Sequence, residues 1–493
     1  MLPSNRHPWQ GPHSNRCNSN GIALGVQLLK KLQPYRTHVI LLIYVHLVWT
    51  ISATQTSIVN TYSNDHNTTL NQMVMDSDTG TIYVGALNHL YRLDSNLREL
   101  ENVTTGPQKD NVDCPLPVEE TDTHCRTINA KKVLREETDN ENKVLVIFKK
   151  GGKLVTCGTL FQGSCELRML SKLSNFTSYR SDTGVMVASN IRERSTVAFL
   201  GPGPPNELLD EVLYTGVSYS GADARVRIEV PSVSSRKLKD GEAFQLVERE
   251  DAVWLLGSYV QLDQSLIESF IIEYVSGFSV DGFSYFLTVQ PEQRPSSDGS
   301  INSNYVSKIV QVCQNDRFYN SYTEMTIECG ENNIIQSATV AKASRQLAST
   351  LHINEGDKVL IAAFAESETK SKTLKKSAAV CMYSFKGIRD LFTSNIRRCY
   401  NGEGGTVFYL SNQMCVNRVS TLSHYSFANC KPYYFQVVRI YQFTMKISKD
   451  VLSQCETVPK KCNTILKNPL FTRATILKHI FTSAVIRPVY ACA

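Results

Sequence analysis

This 493-residue chain is narrowed first by what it lacks. It holds no run of about 18 or more purely apolar residues, the length an apolar helix needs to cross a bilayer. It has no C-x-x-C pair and no Cys/His cluster at zinc spacing, which removes the common structural metal sites. A G-x-S-x-G elbow, an H-E-x-x-H pair, a P-loop and a G-x-G-x-x-G turn are all missing, so no familiar catalytic or nucleotide-binding constellation is present. Tryptophan is scarce, three in all, and only Trp254 falls in the body of the chain. The Cys…Trp…Cys signature of an immunoglobulin sandwich is therefore absent. Helical periodicity is scarce too, and residues 390–396 read as one short helical turn. Basic charge is absent where it would matter. The chain carries +6 overall, but residues 1–53 hold five basic and no acidic residues, and residues 419–493 hold ten basic and two acidic. Residues 54–418 are left with 37 basic and 44 acidic residues, a mildly acidic body that excludes the electrostatic footprint of nucleic-acid binding.

What is there begins with an export signal. Residues 38–53 are apolar over about 14 positions, preceded by Lys30, Lys31 and Arg36 and closed by Ser52 and Ala53. A basic segment, a short apolar core and small residues at the end compose a secretory signal; a type II anchor and a buried strand are the alternatives. Residues 1–30 make the basic segment unusually long, as a later start codon or foreign leading sequence would. Export implies an oxidising destination. Three acceptor sequons, at Asn67, Asn102 and Asn175, agree with it. The body holds nine cysteines: Cys114, Cys125, Cys157, Cys165, Cys313, Cys329, Cys381, Cys399 and Cys415. Cys157 and Cys165 flank a short Gly-containing turn, and Cys114 and Cys125 flank an acidic, Pro-containing loop; either pair could close locally. Nine is odd, so one thiol is expected to lack a partner.

Short extended segments with turn signals between them fill the body. Residues 81–86 and 88–93 read as strands around an Asn-containing turn. Residues 143–148 and 153–157 read as a hairpin in which Gly151 and Gly152 supply positive φ. Further strands are expected at 195–200, 212–217, 270–275, 283–289, 305–312, 359–364 and 377–383, all rich in β-branched and aromatic residues. The most apolar, small-residue-rich segments centre on Ala86, Val155, Phe199, Thr215, Phe286 and Ala363. Their spacing approaches the blade length of a β-propeller, in which small residues suit the inner strands near the axis. The expected fold class is all-β.

A family resemblance rests on specific stretches. QVCQNDRFYNSYTEMTIEC at 311–329 closely resembles the extracellular sema domain of plexins. In the same order run IYVGALNHLYRL at 82–93, TGPQKDNVDCP at 105–115, LVTCGTLFQGSCELR at 154–168 and VASN at 187–190. LYTGVSYSG at 213–221, GFSVDGFSYFLTVQP at 277–291, SAAVCMYSF at 377–385 and IRRCYNGEGG at 396–405 complete the series. Semaphorins and the hepatocyte-growth-factor receptor family share the fold, but the pieces at 277–291 and 313–316 look more like plexin. The resemblance covers residues 54–418 and implies a seven-bladed β-propeller. It implies the pairs Cys114–Cys125, Cys157–Cys165, Cys329–Cys381 and Cys399–Cys415. Cys313 would then be unpaired or mispaired, its family partner lying beyond Cys415, with Cys430 only a loose substitute. Residues 419–493 read as a divergent basic tail foreign to the fold: an altered gene boundary, a decoy isoform, or a patch for heparan sulfate or a membrane surface. The last blade is expected to be incomplete.

The resemblance implies a ligand-binding receptor domain whose protein partner is a semaphorin, with other plexin chains or co-receptors as further partners, in axon guidance and cell migration. Membrane attachment would come through regions outside this sequence, the chain itself being secreted. A secreted semaphorin-like ligand or decoy is the alternative; a propeller hydrolase would need carboxylates converging on the axis. Glu119-Glu120 and Glu136-Glu137 read as solvated loop charges, and His89 as structural. No catalytic, metal or cofactor residue is expected.

Overall fold

The structure, a computed structural model, describes residues 59–64, 68–114, 124–128, 131–180, 186–204, 211–218, 231–248, 257–296, 300–319, 321–400, 407 and 409–410. The leader at 38–53, Asn67, Glu119, Glu120, Trp254, Cys415, Cys430 and the tail at 419–493 lie outside these residues. The chain divides into two compact units, Met1–Thr61 and Tyr62–Ala493, and every element below belongs to the second.

Five sheets follow one another along the chain, each an antiparallel meander. The first is β1 (Leu70–Met75), β2 (Ile82–Ala86), β3 (His89–Leu93) and β4 (Glu99–Thr104). Two ribbons come next: β5 (Gln108–Asp110) pairs with β8 (Glu136–Thr138), and β6 (His124–Ile128) with β7 (Lys131–Leu134). The second sheet is β9 (Asn142–Phe148), β10 (Lys153–Gly158), β11 (Cys165–Met169) and β12 (Lys172–Tyr179). The third is β13 (Thr196–Gly201), β14 (Val212–Val217), β15 (Pro231–Arg236) and β16 (Tyr259–Gln261). The fourth is β17 (Glu273–Val280), β18 (Phe283–Pro291), β19 (Tyr305–Cys313) and β20 (Thr323–Thr326). The fifth has three strands, β21 (Ile334–Lys342), β22 (Lys358–Ser367) and β23 (Leu374–Ser384). Helix α1 (Arg345–Leu351) bridges β21 and β22, and α2 (Phe385–Tyr400) follows β23.

The first strands of successive sheets pack side by side in chain order, β1 on β9, β9 on β13, β13 on β17 and β17 on β21. That side-by-side succession of first strands is the arrangement of a β-propeller. Apolar clusters fill the wedges between neighbouring sheets. Tyr83, Leu90, Leu145 and Leu154 join the first to the second. Val144, Val155, Leu167 and Leu213 join the second to the third. Tyr214, Val233, Phe286 and Val310 join the third to the fourth. Tyr285, Leu287, Ile309, Leu360 and Phe364 join the fourth to the fifth. Small residues let the wedges close. A Cβ on Gly216 would stand 2.4 Å from the Tyr274 ring of the next sheet, so only glycine admits that aromatic there.

Four differences from the sequence reading have physical causes. The small-residue segments at Ala86, Val155, Thr215, Phe286 and Ala363 are the second strands of their sheets, not the innermost. A second strand is paired on both edges and covered on both faces, so β14 and β18 are buried throughout while β13 and β17 are mostly half-buried. Residues 270–272 precede β17 instead of beginning it, although Phe270 is still fully buried. In the 149–152 turn only Gly152 has positive φ. The short helical turn at 390–396 is the middle of α2, 16 residues long. Ser384 Oγ accepts the Gly387 N–H at 3.0 Å to begin that helix. Phe385, Ile388 and Phe392 form its buried stripe against Tyr285.

Candidate functional site: the stapled loops of the first two sheets

Several residues singled out in the first half of the chain, Cys114, Cys125, Cys157, Cys165, Asn102 and Asn175, lie on or beside the first two sheets. Cys157 and Cys165 face each other directly in the β10–β11 register and are joined by a disulfide, with Cα atoms 4.1 Å apart. The turn between them, Leu160–Gly163, is wound left-handed: φ is 52° at Phe161, 59° at Gln162 and 68° at Gly163. Left-handed backbone costs a non-glycine residue roughly 1–2 kcal/mol, so its neighbours must hold it. The Met186 N–H donates to the Gln162 carbonyl at 2.8 Å, and the Ala188 N–H to the Gly163 carbonyl at 3.1 Å. A Cβ on Gly163 would lie 1.9 Å from the Ala188 carbonyl oxygen, so position 163 requires glycine for both its φ and its clearance.

The chain leading into the second disulfide, Val112 to Cys114, docks onto this turn. Cys114 and Cys125 are joined with Cα atoms 5.4 Å apart. Gln162 Nε2 donates to the carbonyls of Val112 at 2.9 Å and Cys114 at 2.5 Å, and its Oε1 accepts from Asn190 Nδ2 at 2.9 Å. Asp110, at the end of β5, accepts the Phe161 N–H on Oδ2 at 2.6 Å. Burial pushes the Asp110 carboxyl above its usual range, against the opposing pull of the Phe161 and Asn111 N–H groups and of Arg135 and Arg180. The Arg180 guanidinium lies 3.7 Å from the Phe161 ring centroid. The Cys157–Cys165 turn and the chain at 110–114 are thus tied together by side-chain hydrogen bonds.

On the outer side, β4 and β12, the last strands of the two sheets, lie against each other. Glu101 accepts the Leu173 N–H at 2.8 Å and the Ser174 N–H at 2.9 Å, and Arg92 sits 3.4 Å from the same carboxylate. Burial works to raise the Glu101 pKa; the N–H groups of Ser174 and Leu173 together with Arg92 outweigh it, and the result is a lowered value. The two described sequons sit on these same strands. Asn102, on β4, is half-buried with its Oδ1 at 3.1 Å from His89 Nδ1. Asn175, on β12, is exposed.

The remaining candidates lie elsewhere. Cys329 and Cys381 are joined with Cα atoms 5.8 Å apart, tying the segment after β20 to β23. Of the two expectations for Cys313, unpaired or mispaired, the first is excluded, since it is disulfide-bonded. The other six disulfide cysteines form three pairs among themselves, so its partner lies beyond the described side chains. The odd count in the body is compatible with this, because a cysteine outside 54–418, or one not described, can supply the partner. Cys399 falls in α2 and Cys415 outside the described residues, so that pair is not placed. Glu136 and Glu137 are exposed on β8, and His89 stacks on Tyr91 at 5.9 Å.

Asp110, Gln162 and Glu101 were not singled out from the sequence. Their partners lie 51, 48 and 72 residues away, and no local pattern marks such pairings. The nearest signal was the Phe-Gln pair held between Cys157 and Cys165. A cleft lined by Gln108, Asn140, Phe161, Glu166 and Arg180 encloses about 30 Å³, and one lined by Asp281, Lys358, Phe385 and Arg389 about 120 Å³. Both fall short of the several hundred cubic ångströms usual for a small-molecule site. Among the described residues no group of three or more His, Cys, Asp or Glu side chains could hold a metal. Among them, too, no helix is long and apolar enough to cross a membrane. The described residues present a surface in which the Cys157–Cys165 turn is held against the chain at 110–114.

Comparison with known proteins gives that surface its kinship. A family profile described as "Sema domain" matches residues 335–491, running past Arg418 into the segment read from the sequence as a tail. Human Plexin-A4 is 32% identical over 344 residues, 68% of this chain and 17% of the relative. Mouse Plexin-A2 is 29% identical over 403 residues, 76% of this chain and 20% of the relative. The chain thus spans about a fifth or less of these relatives' length. The solved extracellular region of Plexin A4, domains 1 to 8, superposes with a TM-score of 0.59 at 30% identity, over 71% of this chain and 37% of that one. A propeller ring, disulfides closing Cys114–Cys125, Cys157–Cys165 and Cys329–Cys381, and these likenesses together identify the chain as a member of the plexin family through its sema domain.

Proposed function

We propose that this chain is the ligand-recognition domain of a plexin-like receptor and that its partner is a semaphorin. The observation that supports this most is the left-handed Cys157–Cys165 turn of a plexin-type propeller, held by the chain at 110–114 and by Met186 and Ala188, a preformed surface feature. Preformed loops bind a large protein partner without an ordering cost. Further plexin chains or co-receptors are proposed as lateral partners, and export through the 38–53 signal as the route to the cell exterior. In this reading axon guidance and cell migration are the downstream processes, and Asp110 and Glu101 are structural carboxylates rather than catalytic ones.

The test is binding of the full chain, expressed in secreting animal cells, to a panel of purified semaphorins by surface plasmon resonance. Saturable binding to at least one semaphorin is expected. A disulfide-intact chain that binds no member of the panel overturns the reading. A chain that instead forms a stable homodimer through its propeller, and binds plexin, would establish the ligand reading in its place.

A further inference from the structure

We propose that Asn175 carries an N-linked glycan that shields the outer edge strand β12 from strand addition, an inference that rests on the export proposed above. β12 is the outermost strand of the second sheet and eight residues long, and six of those residues are exposed. A long, exposed edge strand offers unpaired backbone groups to any other strand and is protected in stable proteins by charge, cover or bulk. One end of β12 has cover: the Glu101 carboxylate occupies the N–H groups of Leu173 and Ser174. That cover stops at Ser174. The next residue is Asn175, which opens the sequence Asn175-Phe176-Thr177. Phe176 is 46% exposed, an apolar ring on the stretch that Glu101 does not reach. The Arg168 guanidinium stands 4.2 Å from that ring's centroid and covers part of it. The β11–β12 register slips between Arg168 and Met169, so residues 173–175 stand opposite no β11 residue; a sugar on exposed Asn175 lies outside the Arg168–Phe176 pair and its bulk covers the open edge.

The transfer needs an oligosaccharide linked to a polyisoprenyl pyrophosphate. Asn175 Nδ2 forms a bond to the sugar C1, the C1–O bond to the pyrophosphate breaks with the electron pair leaving on oxygen, and Nδ2 gives up one proton. No oxidation is involved. Asn102 is a poorer acceptor in the folded domain, since it is half-buried and its Oδ1 lies against His89.

The full chain is expressed in secreting animal cells, and both cell-associated and secreted pools are treated with peptide N-glycosidase in ¹⁸O water and mapped by mass spectrometry. Glycan attachment precedes secretion, so the cell-associated pool reports even if secretion is poor. The Asn175 peptide is expected to carry the ¹⁸O-aspartate mark. Asn175→Gln and Thr177→Ala are each expected to lose one glycan-sized gel step and to raise the self-associated fraction on size exclusion with light scattering. An unmarked Asn175 peptide beside a marked Asn67 or Asn102 peptide overturns this proposal alone. Absence of any mark overturns export with it. Loss of the glycan in both variants with no change in self-association overturns the shielding.

Discussion

Single side chains at the junction of the first two sheets carry opposite electrostatic signs of stability. The Asp110 carboxyl has a raised pKa because burial disfavours its charge. Its contribution is complete below the ordinary carboxylate value, where it is protonated, and is lost as pH rises through the raised folded value. Asp110→Asn keeps an oxygen for the Phe161 N–H and removes that charge. Thermal melts across acid to neutral pH are expected to lose this component and to show little or no destabilisation at neutrality. Asp110→Ala strands the Phe161 N–H and is expected to cost about 1–3 kcal/mol. Glu101 runs the other way. Its lowered pKa gives stability that is present above the ordinary carboxylate value and lost as pH falls through the lowered folded value. Hydrogen exchange at Leu173 and Ser174 is expected to accelerate on acidification, and in Glu101→Ala already at neutral pH. Gly163→Ala must force a Cβ into the Ala188 carbonyl, whereas Gly152, with φ 59°, has nothing within 4 Å of its would-be Cβ. Gly152→Ala is expected to cost about 1 kcal/mol and Gly163→Ala distinctly more, as read from urea midpoints.

Elements differ in how far their own residues announce them. β14, β18 and β19 were legible because β-branched and aromatic residues run through them. α2 was seen only as a fragment: its stripe at Phe385, Ile388 and Phe392 has helical spacing, but it begins directly after a strand. Phe392→Ala is expected to cost about 3–5 kcal/mol, measured by denaturant unfolding, because that ring is 1% exposed beside Tyr285. β15 was not legible at all. Its sequence, Pro-Ser-Val-Ser-Ser-Arg, reads as loop, yet every residue is buried. Polar partners from other strands make this possible: Thr215 Oγ1 at 2.8 Å from Ser234 Oγ, and Tyr274 Oη at 2.6 Å from Ser232 Oγ. Arg236 Nη1 donates to the Phe244 carbonyl at 3.0 Å. Burial of such groups is tolerated only when each is paired, and a linear sequence does not show the pairing.

At the scale of the molecule, disulfides restrain different things. Cys157–Cys165 closes a separation of 8 residues within one sheet, and Cys329–Cys381 closes 52. Chain-entropy scaling gives about 2.5 kcal/mol for the first and about 4 kcal/mol for the second. A Cys329→Ser/Cys381→Ser double variant is therefore expected to lower the unfolding midpoint more than Cys157→Ser/Cys165→Ser, a ranking that calorimetry would reverse if loop entropy were not the main contribution. The sequence by itself determined the strand-rich class and the plexin likeness, and the likeness implied the local cysteine pairs, because alternation, turn residues and motif order are written along the chain. Only the tertiary structure decided that the small-residue strands stand second in their sheets, that Cys313 has a partner, and that Glu101 and Asp110 hold loops 51 to 72 residues away. Those outcomes depend on which surfaces the sheets bring together as they pack side by side, a property of no segment alone.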